Sequence, residues 1–378
     1  SCWCFRRYFK MSVEKNIKVS VLGATGMVGQ NCLRLLENHP WFHVIDVAAS
    51  ERSSGKTYRE ATDSKWVMET PIPDAISGLI VRNVHDFESM PEDVTCVFSA
   101  LDLQEKQDTR DFEFGYAQKG YAVISTSSAN RQTPDVPMII PEINAHHADV
   151  IPIQQRNRNL PGSGFVAVKP NCSIQSYIVV LEALKQAGFP VDRVQVTTLQ
   201  ALSGAGYKAL TNPDLKENVV PYIDGEEEKT EKEPLKIFGE VTENGIEQST
   251  GININAVCTR VPVVDGHTAV VHIGFADVVP TIDEFKSIIS SFTAEPQSLH
   301  LPSAPKIPII VLNEIDRPQP KLDRDLGNGM TVTVGRITDE TFFNIRFIGL
   351  SHNTVRGAAG GAILMAELLA QKGFIHVE

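Results

Sequence analysis

Cys172 stands in Val168-Lys169-Pro170-Asn171-Cys172-Ser173-Ile174-Gln175, just after a Pro-Asn turn and at the head of an apolar-periodic segment running to Gln186. A cysteine at a helix start meets unpaired backbone N–H groups and the positive end of the helix dipole, and both favour the nucleophilic thiolate. A lone cysteine also fills a core well, so its chemistry depends on partners elsewhere in the chain. Arg260 and, seven residues on, His267 flank a strand-turn-strand pattern and can converge on one pocket. An arginine grips a carboxylate bidentately, and a neutral imidazole serves acid–base chemistry near neutral pH. Gln200 opens a glycine loop, Ser203-Gly204-Ala205-Gly206. Within the charge run 225–233, Glu226 and Lys229 are three apart and project to one side of a helix, offering both signs to one ligand. Such a run also suits a solvated helix face.

A second glycine-rich turn lies upstream. Ile17–Leu22 (IKVSVL) is a short β-rich run that meets Gly23-Ala24-Thr25-Gly26-Met27-Val28-Gly29 and then a helical pattern ending at His39-Pro40. The GxxGxxG spacing permits a tight turn, close approach of a pyrophosphate and close helix–strand packing, with phosphates at the helix N-terminus. Gly23, Thr25, Gly26, Met27 and Val28 are therefore candidate dinucleotide contacts. The next strand, 42–49, ends in Ser50-Glu51-Arg52-Ser53 rather than in an acid that would hold a ribose 2′-hydroxyl; Asp46 lies inside the strand. A Ser50, Arg52, Ser53 loop suits a 2′-phosphate, which favours NADP(H) over NAD.

These groups need a scaffold. Strand-like runs at 94–100 and 121–125 alternate with a helical pattern at 104–118, so the N-terminal part reads as a Rossmann-type doubly wound parallel sheet. Ser127 to Arg131 follows a strand end, where open α/β sheets bind ligands. The polar, Gly/Pro-bearing stretch 153–164 reads as a domain boundary. The helix after Cys172 carries Ile174, Ile178, Leu181 and Leu184 and is stopped by Gly188, with Pro190 beyond. Strand-like runs at 194–199, 252–264, 269–275, 331–335 and 342–349 predict a second α+β domain with a mixed, largely antiparallel sheet, and 357–371 predicts a closing helix. The expected domains are 12–160, rejoined by a C-terminal helix at 351–373, and 161–350.

Bulk composition agrees with two domains: 378 residues, 42% hydrophobic, 21% charged and a formal net charge of -11. An acidic chain argues against nucleic acid or an anionic membrane as the main partner, and no apolar run approaches the ~20 residues of a membrane span. Six cysteines without a CxxC pair, and histidines without HExxH spacing, predict reduced thiols and no metal. Residues 1–10 lack the apolar core of a secretory leader, and Met11 reads as a natural start.

Pro170-Asn171-Cys172, taken with GATGMVG, Gln200, SGAG and Arg260 seven before His267, strongly resembles the aspartate-β-semialdehyde dehydrogenases, closest to their fungal and archaeal-like branch, from about Ile17 to Gly373. The resemblance implies Cys172 as acyl-forming nucleophile, His267 as acid/base, Gln200 as orienting amide and Arg260 on the substrate carboxylate. It further implies Glu226 on the substrate amine, Lys229, Arg131 and Asn130 on phosphate, and Ser203, Gly204 and Asn353 near the nicotinamide. The implied reaction is the NADPH-dependent reduction of L-aspartyl-4-phosphate to L-aspartate-4-semialdehyde with release of phosphate, in biosynthesis of aspartate-family amino acids such as threonine and methionine, by a cytoplasmic homodimer or homotetramer. A thiolate suits this chemistry because sulfur both attacks and leaves readily. Alternatives are an N-acetyl-glutamyl-phosphate or malonyl-CoA reductase, in which Glu226 would have no free amine to meet, and a non-catalytic NADP-sensing protein, which has no use for Cys172, Gln200, Arg260 and His267 together.

Overall fold

The computed structural model describes residues 15–101 and 103–376. The expectations for residues 1–10 and Met11 lie outside this range.

The first sheet has six parallel strands in the order β3-β2-β1-β4-β5-β6: β1 Ile17–Leu22, β2 Phe42–Ala49, β3 Arg82–Asn83, β4 Cys96–Ser99, β5 Ala122–Ser125 and β6 Phe165–Val168. Its central strands read as unbroken apolar runs because both faces are covered: Val97, Val123, Ile124, Val166 and Ala167 are all fully buried. The helices Met27–Leu36 and Lys106–Gln118 follow β1 and β4, as the alternation predicts. The closing helix Gly360–Gln371 returns to this domain, where Ile363, Met365 and Leu369 share a core with Val19, Val21 and Ile124.

Two boundaries differ from expectation. β6 still belongs to the first sheet, paired in parallel with β5, so the passage between the sheets falls after Val168 rather than at 160. The first half of the stretch read as a polar boundary, 153–164, lies in a helix, Ile151–Arg158, closed by Asn159 at φ 52. Gln154, polar by type, is fully buried there because its side chain bonds the backbone of Asp135 and, twice, of Val166.

The second sheet has the order β10-β7-β11-β14-β13-β12, with β7 Val191–Gln200, β8 Glu240–Thr242, β9 Gly245–Glu247, β10 Asn253–Arg260, β11 His267–Phe275, β12 Ile309–Val311, β13 Val332–Asp339 and β14 Ile345–Ser351; β8 and β9 form a separate hairpin. The sheet is mixed. β10 with β7 and β12 with β13 are parallel, and the remaining pairs are antiparallel. The helices Ile178–Gln186 and Ile282–Ser290 cover one face through Leu181, Leu184, Phe285 and Ile289. Register then gathers the chemistry at one edge. Arg260 lies opposite Gln200 at the parallel ends of β10 and β7, and antiparallel β11 begins there with His267, next to the Thr268–Leu199 pair.

Candidate active site

The nucleophile's turn leaves β6 at the C-terminal edge of the first sheet, where Lys169 N–H donates to Ser125 O at 2.9 Å. Asn171 organises it. Its Oδ1 accepts from the backbone and hydroxyl of Ser173, both at 2.7 Å, and its backbone N–H donates to Glu233 Oε2 at 2.5 Å. Cys172 does not head the long helix that its apolar periodicity suggests. It precedes a short 3-10 turn, Ser173–Ser176, and Tyr177 at φ -144 interrupts the backbone before Ile178–Gln186 begins. The periodic residues pack continuously while the hydrogen-bond ladder breaks, so a long-helix dipole does not act on this sulfur. Burial, reinforced by the Glu226 carboxylate, holds the Cys172 thiol above its ordinary range; Lys169, Arg131 and Arg260 pull it the other way.

His267 Nε2 lies 3.3 Å from Cys172 Sγ. The other ring nitrogen accepts from the backbone N–H of Ala201 at 3.0 Å. Burial, then the Arg260 guanidinium, lowers His267 to about 3, so the ring is neutral at working pH. Arg260 is anchored through Nη1 to Ala201 O at 2.8 Å. Gly204 closes over both side chains: a Cβ there would come within 2.9 Å of Arg260 Nη1 and 3.0 Å of His267 Cε1.

The third wall is the helix Glu226–Ile237. Glu226 accepts from Lys229 Nζ at 2.8 Å, Gln200 Nε2 at 3.1 Å and Asn171 Nδ2 at 3.0 Å. Burial alone would raise this carboxyl; Lys229, with the Asn171 and Gln200 hydrogen bonds, outweighs it and holds the group ionised. One helical face thus carries Glu226, Lys229 and Glu233 toward the site, while Glu228 and Lys232 on the opposite face pair in solvent. These walls enclose a cleft of about 280 Å³ reached by Cys172, Arg131, Glu226, Lys229, Met27 and Asn353. A larger groove of about 610 Å³, between His39 and the 302–307 segment, contains none of these side chains.

Residues 18–151 match the family described as "Semialdehyde dehydrogenase, NAD binding domain", and residues 181–356 match "Semialdehyde dehydrogenase, dimerisation domain". The chain belongs to the semialdehyde dehydrogenase family. It is 42% identical over 355 residues to the aspartate-semialdehyde dehydrogenase of Methanothermobacter thermautotrophicus, covering 93% of this chain and 99% of that protein. The corresponding fungal enzyme of Trichophyton rubrum is 39% identical over 370 residues, covering 97% and 100%. The crystal structure of aspartate semialdehyde dehydrogenase with NADP from Candida albicans aligns with a TM-score of 0.84 at 36% identity, over 95% of this chain and 100% of that one. The expected archaeal and fungal likeness is therefore observed.

In this semialdehyde dehydrogenase the glycine turn fits a dinucleotide. Gly23 takes φ 75, and a Cβ on Gly29 would sit 2.3 Å from Gly23 O, so both positions demand glycine, while Gly26 meets nothing closer than 3.4 Å and leaves an open approach. The helix after it has no acidic residue in its first turn, and Met27 and Val28 border the cleft, with Thr25 in the turn beside them. Asp46 is spent within the fold: its carboxylate accepts from Ser20 Oγ at 2.5 Å and Arg82 Nη2 at 2.8 Å. Ser50 and Arg52 are exposed just past β2 and Ser53 is buried; Ala48 of that strand accepts from Gly23 and Ala24 of the turn. Ser203, Gly204 and Asn353 reach the cleft together, Asn353 Nδ2 donating to Ser203 Oγ at 2.8 Å.

Arg131 borders the cleft with part of its guanidinium engaged by Glu233, Lys169 O and Thr126 O. Asn130, expected to hold phosphate, instead turns inward: it is fully buried and its amide donates to Glu113 Oε2 at 2.8 Å, so it anchors the loop that carries Arg131. Sequence reasoning missed Glu233 and the role of Asn171. The signal for Glu233 was its spacing, one further turn along the face of Glu226 and Lys229. Lys169, buried behind Cys172 with Nζ on Pro170 O, and Gly357, whose Cβ would meet Cys172 Cβ at 2.8 Å, were also unsignalled.

Proposed function

We propose that this chain is an NADP-dependent aspartate-β-semialdehyde dehydrogenase that reduces L-aspartyl-4-phosphate to L-aspartate-4-semialdehyde. The observation that carries this reading is the Cys172–His267 contact at 3.3 Å beside a cleft lined by Cys172, Glu226 and Gly204, with Arg260 packed behind Gly204, backed by full-length likeness to enzymes of that name. Cys172 attacks the acyl carbon and phosphate departs, leaving a thioester. NADPH, when bound, would supply the hydride to that carbon, after which the C–S bond breaks to free the aldehyde and return the Cys172 sulfur. Arg260, with one nitrogen fixed on Ala201 O, turns its remaining donors to the substrate carboxylate, and Glu226 meets the amine. Gln200 orients Glu226, and Lys229 with Arg131 accommodates phosphate. Ser50, Arg52 and Ser53 receive the 2′-phosphate, and the engagement of Asp46 by Ser20 and Arg82 inside β2 supports NADP over NAD, although Glu51 stands beside Arg52 in that loop. The same reading makes the chain a cytoplasmic homodimer or homotetramer, supported by the dimerisation-domain match and by exposed Tyr222 and Val257 in that part of the chain. Among the described residues no helix is long and apolar enough to cross a membrane.

The test is oxidation of a semialdehyde panel with NADP or NAD, with and without phosphate. L-aspartate-semialdehyde with NADP and phosphate is expected to turn over best, and Glu226→Gln to raise its KM. A preference for N-acetyl-glutamate-semialdehyde, or a CoA requirement, would replace this reading with that of a related thioacyl reductase. Binding of NADP without any turnover would favour a sensor.

A further inference from the structure

The helix Glu226–Ile237 borders the cleft with a carboxylate and an ammonium that already hold each other. Lys229 Nζ donates to Glu226 Oε1 at 2.8 Å; the lysine side chain is 30% exposed and the glutamate side chain 12%. The two are three apart, so the contact lies within one helical turn and the lysine can swing away without unwinding the helix. The other donors to Glu226 come from elsewhere in the fold. Gln200 Nε2, at the end of β7, reaches Oε2 at 3.1 Å, and Asn171 Nδ2, in the turn of Cys172, reaches it at 3.0 Å. Both are neutral amides on buried residues. Lys229 is therefore the partner that a second cation would displace.

Arg131 differs from Lys229 in this respect. Three of its five N–H groups are engaged by Glu233 Oε1, Lys169 O and Thr126 O, which pins the guanidinium at the cleft and leaves two for a ligand. The anion end of the cleft thus has one cation fixed in place and one whose charge is already balanced. Seating a substrate ammonium on Glu226 while Lys229 stays would set two full positive charges on one carboxylate, with the Arg260 guanidinium acting on the same group and Arg131 on the same cleft. Like charges a few ångströms apart repel strongly where water is partly excluded. Exchange avoids this: one ammonium replaces another on Glu226, and the released Lys229, on the same cleft, offers its charge to an anion.

We propose that the substrate amine and Lys229 compete for the Glu226 carboxylate, so that seating the amine frees Lys229 for phosphate and the cleft binds amine and phosphate cooperatively. The inference rests on the aspartyl reading above. No covalent bond changes and no proton moves in the exchange. Its consequence is specificity. A four-carbon semialdehyde without the amine still offers its carboxylate to Arg260 and its aldehyde to Cys172, but it leaves Lys229 clasped to Glu226. Its thioester then meets a phosphate site with one cation occupied elsewhere, so discrimination falls on the phosphate step as well as on substrate binding. Linkage makes the effect reciprocal: phosphate tightens the amine-bearing ligand by the factor that the ligand tightens phosphate.

The test titrates inorganic phosphate into Cys172→Ala by calorimetry, alone and with saturating L-aspartate-semialdehyde or succinate-semialdehyde, which lacks the amine. L-aspartate-semialdehyde is expected to tighten phosphate roughly tenfold and succinate-semialdehyde to leave it unchanged. Adding Glu226→Gln is expected to tighten phosphate with no semialdehyde present, because Lys229 is already free, and to abolish the response to L-aspartate-semialdehyde. A role for Glu226 confined to supporting the site predicts the opposite sign, a weakened phosphate. Two semialdehydes that act alike, or phosphate weakened by Glu226→Gln, overturns the inference. Turnover of the wild type with L-aspartate-semialdehyde is read separately: an active enzyme without this linkage keeps the substrate reading and loses the exchange.

Discussion

The carboxylate of Glu233 accepts the backbone N–H of Asn171 at 2.5 Å, one residue ahead of the nucleophile, and with its other oxygen accepts Arg131 Nη1 at 2.9 Å. A single buried side chain thereby ties the turn of Cys172, the loop of Arg131 and the helix of Glu226 and Lys229 into one body.

Glu233→Gln keeps the shape but leaves the buried Arg131 cation without its carboxylate. Breaking such a pair costs about 3 kcal/mol or more. Urea unfolding is expected to show that loss, and kcat is expected to fall as the Cys172 turn loosens. Unchanged stability and kcat would mean that Glu233 holds neither.

Gly204→Ala tests the closure over the catalytic pair. Its Cβ would press on Arg260 Nη1 and on His267 Cε1 and Nε2, at 2.9 to 3.1 Å. The protein is expected to fold, bind NADP and lose roughly a hundredfold in kcat/KM, because a displacement of about 1 Å is enough to disturb catalytic geometry. Activity near wild type would show that the contact relaxes freely.

How legible this site was follows from what each residue does. Cys172, His267 and Arg260 have side chains whose chemistry is specific, and the glycine turn has a spacing that only a few structures need. Glu233 and Asn171 act through geometry: a glutamate in the run GEEEKTEKE resembles its solvated neighbours until the helix is docked, and only then is Glu233 found buried. The parallel sheet could be read from buried apolar runs, whereas the break at Tyr177 could not, because the spacing of Ile174, Ile178, Leu181 and Leu184 suits one helix equally well. Asn130 was misplaced for a related reason, since a loop polar residue beside Arg131 points inward only when Glu113 waits there for it.

Acid should destabilise the protein through buried neutral histidines. Burial lowers His147 to about 4, from 6.5, with Asn144 and Gly239 O bonded to its ring, and lowers His267 to about 3. Between about 6.5 and these values the unfolded chain binds the protons that the folded chain refuses, so stability falls as pH falls through that window and is fully retained above it. Urea midpoints from pH 7.5 to 4.5 are expected to decline, with a shallower slope in His147→Gln. A slope unaltered by that substitution would assign the decline to other groups.

The central claim is that the acyl group passes through Cys172. Mixing the enzyme with NADP and L-aspartate-semialdehyde without phosphate should give a burst of about one NADPH per subunit and then stall, because the thioester has no acceptor. Acid quench and peptide mapping should find an aspartyl group on the peptide containing Cys172, removable by added phosphate and missing in Cys172→Ala. A burst that persists in Cys172→Ala, or an acyl group on another residue, would contradict the account.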